Sequence, residues 1–390
     1  MQIFFWVLLS LVVYTYLGYF VLLYVLKSIA AWQKEPVNFA FEDLPTCTIV
    51  IAAYNEAAYL DQKIENTLAL LYPQGKLQCL VVTDGSTDET VKIYQKFPTI
   101  KHFHENKRAG KLAAVERVLP FVDTEVVVFT DANTLLNKDA AVNICRHFAL
   151  HEVGAVAGEK RIFNQISEDA VAAGEGIYWK YESLLKKWDA DFYSVVGAAG
   201  ELFAIRRNLY QHVEPDTIIE DFVLTTRIAM QGFRVLYEPQ AYAIEAASAS
   251  VYDEMKRKVR IAAGAWQAVG RFAELLNIFR YGRLSFIYIS HRFLRWTIAP
   301  FALPVLFILN AILVYYQPTL VYEMLFFFQL LFYTLSFLGY LFASNNLKIK
   351  TLFIPFYFCM MNYCMWAGLS RFLQGKQQAV WEKAQRRDEK

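Results

Sequence analysis

Four long stretches without one charged side chain limit what this chain can become. Met1–Leu26, Trp296–Tyr322, Met324–Leu347 and Thr351–Ser370 contain no Asp, Glu, Lys or Arg. Each is long enough to cross a bilayer as a helix, which takes about 20 residues. Between Lys27 and Arg295 no such stretch occurs. A soluble domain is about 25% charged; here the figure is 19%, and the 56% of hydrophobic residues is weighted toward the two ends. The pattern divides the chain into an N-terminal span (1–27), a polar block (28–248), a pair of amphipathic helices at the membrane surface (249–290), C-terminal spans (291–373) and a charged tail (374–390).

The first stretch reads as a span, not a signal peptide. Its apolar run exceeds an h-region, no basic n-region precedes it, and no small-residue cleavage site follows. Lys27 and Lys34 after it favour a cytoplasmic polar block, and Lys348 and Lys350 agree. Simple counting puts the tail outside, yet it carries Lys376, Lys383, Arg386, Arg387 and Lys390, so its side stays open. A net charge of +2 gives no global pull toward nucleic acid. The five cysteines form no CxxC pair, which argues against a disulfide framework or a zinc site and suits a reducing compartment.

Inside the polar block, "TCTIVIAAYNE" (46–56), "LQCLVVTDGSTDET" (77–90) and "EVVVFTDANT" (125–134) each run from β-branched residues into a polar turn. "GAVAGEK" (154–160) is a further short strand, and helix-like stretches lie at 57–70, 87–96, 111–119 and 138–150. Strand and helix in alternation predict an α/β fold with a mostly parallel, Rossmann-like sheet covered by helices on both faces. Ligands of such sheets bind beyond the carboxyl ends of the strands. Those ends carry Tyr54-Asn55-Glu56, Asp84-Gly85-Ser86 and Asp131-Ala132-Asn133. Each alone is ordinary turn and cap chemistry; three on one edge point to a binding site. "HENKRAGKLAAVERV" (104–118) adds Lys111 at a helix start, a natural phosphate contact, and no GxxxxGK[ST] loop supports an ATPase. "TIIED" (217–221) sets two acids after a β-branched run. They serve either as the first turn of a helix or as chemistry.

Taken together these motifs resemble the inverting family 2 glycosyltransferases of GT-A fold, and the flanking spans resemble the membrane-bound members, such as poly-N-acetylglucosamine, hyaluronan and cellulose synthases. "AAYNE" is similar to the family's first nucleotide-contacting loop, "TDGSTD" to its DDGS element with Thr83 in place of one acid, and "TDAN" to its DxD metal motif with Asn133 for the second Asp. "GAAGELFAIRR" (197–207) resembles the glycine-rich acceptor segment, and "IIED" the motif that carries the base. The QxxRW of polymerising members is altered: "RKVRIAAGAWQ" (257–267) has Arg257 for Gln and Ile261 for Trp, and keeps Arg260.

The resemblance implies roles. Asp221 is the base that takes the acceptor hydroxyl proton, and Glu220 orients it or meets the acceptor. Asp131 and Asn133 hold Mg²⁺ or Mn²⁺ against the donor diphosphate, with phosphate and water completing the shell. Ala53, Tyr54, Glu56, Asp84, Gly85, Lys111, Ala132, Arg257 and Arg260 bind the donor, a nucleotide-sugar with uridine as the usual base. Gly200, Glu201 and Trp266 bind the acceptor, a saccharide or lipid-linked molecule. Arg257 and Arg260 also read as part of an amphipathic helix lying on membrane lipid. The implied setting is the cell membrane, bacterial inner membrane in type, with the catalytic domain cytoplasmic. Three functions stay open: transfer of single sugars to a membrane acceptor, processive synthesis with export of the product, and binding of a nucleotide-sugar without catalysis.

Overall fold

The computed structural model describes residues 1–29, 40–163, 170–246, 250–344 and 349–375. Lys34, Lys348 and the tail from Lys376 lie outside them.

The β-branched runs form the strands they predict. β1 (Cys47–Ala53), β2 (Leu77–Asp84), β3 (Lys101–Glu105) and β4 (Val126–Asp131) lie parallel in the order β3-β2-β1-β4. The sheet then continues through strands that the sequence marks less clearly. β7 (Leu202–Arg206) runs antiparallel to β4 and to β6 (Val153–Phe163); β8 (Arg234–Ala246) is parallel to β6, and β5 (Thr134–Leu136) closes the edge antiparallel to β8. The eight-stranded sheet is thus mixed and mostly parallel, with a GT-A-like arrangement. β8 contains Pro239, which reads as a break, and the β6–β8 register shifts between Gly158 and Glu159, opposite it.

The sheet is covered on both faces. One layer includes α2 (Ala57–Leu68) through Leu60 and Ile64, packed on Ile49, Ile51 and Val128. The other includes α3 (Lys111–Val118) through Leu112 and Val115, α4 (Ala170–Phe192) through Leu185 and Trp188, and α5 (Glu220–Met230) through Phe222 and Leu224. That second layer continues into the apolar helices. Tyr19 and Leu23 of α1 (Gln2–Ile29), and Leu284, Ile287 and Tyr288 of α7 (Arg283–Tyr316), belong to the same core.

α1, α7, α8 (Leu320–Ser344) and α9 (Thr351–Leu373) are the four helices long and apolar enough to cross a membrane among the described residues. The span expected at Trp296–Tyr322 is displaced: its helix starts at Arg283 and stops at Tyr316, before Pro318. Proline lacks the N–H a helix needs and holds the preceding residue out of helical conformation. The early start brings Arg292 and Arg295 into the helix, where Glu182 of α4 receives both at 2.5 and 3.1 Å. The expected line at 290/291 therefore falls inside one continuous helix. α6 (Val251–Arg271), read as amphipathic, lays its apolar residues Val251, Met255 and Val259 on Phe353, Phe356 and Met360 of α9.

Candidate active site

The carboxyl ends of β1, β2 and β4 come together as Ala53, Asp84 and Asp131, with Ala53 beside Thr83 and Ala52 beside Asp131 in the ladder. The loops beyond them carry the first candidate residues. Tyr54 lies under the Arg108 guanidinium, 3.6 Å from ring centre to Cζ. Glu56 starts α2, its N–H donating to the Thr90 hydroxyl at 2.9 Å. Gly85 has φ +67, and a Cβ there would lie 2.6 Å from Arg108 Cβ, so this turn requires glycine.

Asp84 is almost fully buried and works within the chain. Its Oδ2 accepts the N–H groups of Ala109 and Gly110 at 2.8 and 2.7 Å, and Arg117 donates to Oδ1 at 2.9 Å. It thereby fixes the loop that ends in Lys111, at the first position of α3. Lys111 reaches across to Asp131 Oδ1 at 2.6 Å and to Glu220 Oε1 at 3.3 Å. Glu220 and Asp221 are the first two residues of α5, where acids suit the helix dipole. Asp221 also borders Gly200: a Cβ on Gly200 would sit 3.4 Å from Asp221 Oδ2 and 3.6 Å from Lys111 Nζ. Gly200, Lys111, Asp131, Glu220 and Asp221 are therefore one cluster.

α6 holds this cluster from the other side. Gly264 lets the helix press on Ile218 and Ile219, where a Cβ would come within 2.9 Å of Ile219 Cγ2. Gln267 Oε1 accepts the Ile218 N–H at 3.2 Å, and Arg271 bonds Asp216 at 2.6 Å. The "TIIED" segment is thus clamped just before its two acids. From the same helix Arg260 lies within electrostatic reach of Glu220, Asp221 and Asp131, and burial lowers its pKa. Arg257 is paired with Glu254 at 3.0 Å.

Burial pushes the Asp221 carboxyl up to about 7, with Glu220 adding to the rise and Lys111 opposing it. Asp131 is raised as well, by burial and by Glu201 and Glu245, against Lys111. Glu201 behaves oppositely. Burial would raise it, but Lys160, 2.5 Å away, overrides that and holds it low. Two neighbouring acids thus sit on opposite sides of the normal carboxylate range.

Among the described residues, no three Asp, Glu, His or Cys side chains form a ready metal site. Asp131 and Asn133 nevertheless suit a hard cation that takes its remaining ligands from a bound phosphate. Asp131 stands in a field of carboxylates, and Asn133 turns its Nδ2 toward Glu245 Oε1 at 3.5 Å, which leaves its amide oxygen as the donor atom.

Comparison with known proteins bears on this site. Residues 48–214 match the model of glycosyl transferase family 2. This segment is similar to a family 2 glycosyltransferase domain. The poly-beta-1,6-N-acetyl-D-glucosamine synthase of Staphylococcus aureus (strain COL) is 26% identical over 252 residues, 61% of this chain and 58% of the relative. The beta-monoglucosyldiacylglycerol synthase of a Nostoc species is 28% identical over 220 residues, 52% of this chain and 44% of the relative. The chain thus spans about half the length of these relatives, 58% of the first and 44% of the second. A mannosyltransferase from Pyrobaculum calidifontis, solved with GDP-Man and Mn²⁺, shares the fold at a TM-score of 0.68 and 24% identity, covering 95% of this chain and 99% of that one.

The other candidates sit around the same cluster. Ala132 is buried under the β4 turn, and Glu201 follows Gly200 into β7. Trp266 is drawn into the seam with the apolar helices, its indole N–H donating to the Met365 carbonyl at 3.0 Å and its ring set edge-on to Phe301. Sequence reasoning reads 175–193 as an aromatic-rich amphipathic helix beside the acceptor path or the membrane and gives no residue in it a role, yet the buried face of α4 carries Glu182, Lys186 and Asp189. The aromatic-rich pattern at 175–193 was the available signal. It does not distinguish a solvated polar face from one buried under other helices.

Proposed function

We propose that the chain is a membrane-bound inverting glycosyltransferase. It moves a sugar from a nucleotide-sugar, a UDP-sugar in the usual case, to a hydroxyl of a saccharide or lipid-linked acceptor at the cytoplasmic face. The observation that carries this reading is Asp221: a carboxyl raised to about 7, set beside Gly200 and Lys111, with Lys111 bonded in turn to Asp131. A base poised near neutrality can take the acceptor's proton as its oxygen attacks the anomeric carbon. Glu220 orients the base through their shared partner Lys111. Lys111 and Arg260 meet the negative charge that grows on the departing diphosphate, and Arg257 lends charge beside them. Asp131 and Asn133 would hold Mg²⁺ or Mn²⁺, whose chemistry there is to offset that same charge. Tyr54, Glu56 and the Gly85 turn receive the nucleoside, with Asp84 fixing the loop that presents Lys111. Gly200 and Glu201 line the acceptor side. The four apolar helices and the lysines following the first support an integral membrane protein.

A second reading, processive synthesis, is favoured by the similarity to the Staphylococcus aureus poly-beta-1,6-N-acetyl-D-glucosamine synthase. The altered QxxRW and the packing of Trp266 against Met365 weigh against it. The test is full-length protein in detergent with Mn²⁺, given a panel of nucleotide-sugars, with nucleoside diphosphate release and product length both measured. Release that disappears in Asp221→Asn supports the transferase, and product length separates single addition from polymer. Release that is unchanged in Asp221→Asn returns the two acids to a helix-capping role.

A further inference from the structure

Gly200 and Asp221 meet in the catalytic cluster, and the short segment that leads to Gly200 decides how they meet. Val195 and Val196 are fully buried. Gly197 has φ +86, and a Cβ there would run into the Phe222 ring, so glycine is what lets the chain pass this close to α5. The Ala198 N–H donates to the Thr225 hydroxyl at 3.1 Å, and that hydroxyl donates to the Asp221 carbonyl at 2.7 Å. Gly200 then borders the Asp221 carboxyl. The spacing between Gly200 and the proposed base is therefore set by how residues 196–198 are seated.

The same segment is held from α7. Arg292 Nε donates to the Val196 carbonyl at 3.1 Å, and its Nη1 bonds Glu182 of α4 at 2.5 Å. Further along α7, the Trp296 ring packs on Phe222 with centroids 5.2 Å apart. An ion pair with Glu182 would not by itself require the bond to Val196. Arg295 pairs with the same carboxylate at 3.1 Å, and His291 is 3.4 Å from it, so Glu182 has other partners. What Arg292 adds is a grip on the backbone immediately before Gly197. The planar fork of a guanidinium can serve a carboxylate and a carbonyl at once, and a buried carbonyl left without its donor is costly.

We propose that Arg292 is a positioning residue of the active site: through the Val196 carbonyl, and with Trp296 against Phe222, it seats the segment 196–200 so that Gly200 and the Asp221 carboxyl keep the spacing that transfer requires. The assignment rests on the transferase reading with Asp221 as base. It adds that α7, a helix long enough to span a bilayer, completes the site from outside the sheet domain. Arg292 touches no reacting atom. It acts through the backbone, where a displacement of about 1 Å can cost about a hundredfold in rate.

The test compares Arg292→Lys with Glu182→Gln in the full-length protein in detergent with Mn²⁺. Arg292→Lys keeps a charge for Glu182 but lacks the fork that also reaches Val196. Glu182→Gln weakens the ion pairs and leaves the bond to Val196 in place. Nucleoside diphosphate release is followed with the nucleotide-sugar that wild type turns over fastest, and UDP and GDP binding are measured at equilibrium. In Arg292→Lys turnover should fall about thirtyfold, with donor KM and diphosphate affinity within a factor of about two of wild type. In Glu182→Gln turnover should fall about threefold or less, although that variant is the less stable of the two. Hydrogen exchange reads the segment without substrate: the amides of 197–202 should exchange about tenfold faster in Arg292→Lys, and those of 84–111 at the wild-type rate. If Glu182→Gln does not fold, Arg295→Gln replaces it. If Arg292→Lys does not, Thr225→Val releases Ala198 in the same segment and carries the same expectation. Equal loss of turnover in the two variants makes Arg292 an ion-pair partner only and overturns the proposal, as does unchanged exchange at 197–202. Loss of UDP and GDP binding in Arg292→Lys overturns it as well, because the damage then reaches the donor edge. Wild type that releases diphosphate from no donor counts against the transferase reading, while the exchange comparison still decides whether Arg292 seats the segment.

Discussion

The donor edge of the sheet and the seam between the sheet domain and the apolar helices are both built on buried charge, but they are connected differently. At the donor edge, Asp84 bonds Ala109, Gly110 and Arg117, 25, 26 and 33 residues away, and Lys111 bonds Asp131, 20 residues on. At the seam, Asp189 of α4 receives the Tyr19 hydroxyl from 170 residues away and meets His291 across 102. Glu182 meets Arg292 across 110. The first region closes within neighbouring strand–helix units. The second forms only when α1 and α7 have docked on α4. Chemistry that uses strand ends can thus be assembled locally, while the seam depends on the whole molecule.

Asp221 lies where the two regions meet, and removing it should give the largest effect. Asp221→Asn should lower turnover about a thousandfold, the range expected for loss of a general base, while nucleoside diphosphate affinity stays within a factor of about two. Diphosphate release and equilibrium binding measure the two separately. If affinity falls with turnover, the division between donor edge and base is wrong. Next in size is Glu182→Gln. It would strip the acid from Arg292 and Arg295 at a site only 3% exposed. Leaving such charges unmatched costs about 3 kcal/mol or more, readable as a lower unfolding temperature in detergent. A change no greater than that of a surface mutant would mean that the seam contributes little to stability.

The same contrast explains what the sequence disclosed. β1, β2 and β4 are legible because each is a β-branched run that stops at a polar turn, and the parallel order places their ends together. That alone brings Ala53, Asp84 and Asp131 to one edge. β7 lies within a segment rich in Gly and Ala, and β8 contains Pro239, so neither carries a clean strand pattern. The seam was hidden for another reason. Glu182, Lys186 and Asp189 repeat at helical spacing among aromatic residues, a pattern that fits a solvated polar face equally well. Only the docking of helices distant in sequence buries them. Trp266 shows the converse: an aromatic in a suggestive motif turns its indole N–H to a carbonyl of α9.

A smaller effect should follow from loosening the donor edge alone. Asp84→Asn weakens the charged acceptor for two backbone N–H groups and Arg117, at about 1.5 kcal/mol. Because the loop it holds presents Lys111, the donor KM should rise about tenfold, with kcat much less affected. A fall in kcat with KM unchanged would instead put Asp84 in contact with the reacting atoms.

The smallest and most discriminating effect is that of pH. Asp221 must be ionised to act as base, and its carboxyl is raised to about 7 by burial and by Glu220. Glu201, held low by Lys160, stays ionised throughout the working range. The kcat/KM of the wild type should therefore climb as pH rises toward 7 and level off above it, by about fivefold between pH 6 and 7. For stability the sign is reversed. The folded state binds a proton that the unfolded chain has released, so this group favours folding increasingly as pH falls from about 7 toward 4. Activity and this part of the stability should move in opposite directions over one window, and Asp221→Asn should abolish both dependences together. An activity profile flat from pH 5.5 to 8, measured with donor and acceptor saturating and again below saturation, would remove the raised carboxyl from the mechanism. It would leave Lys111 and Arg260, acting on the departing diphosphate, as the groups that carry the reaction.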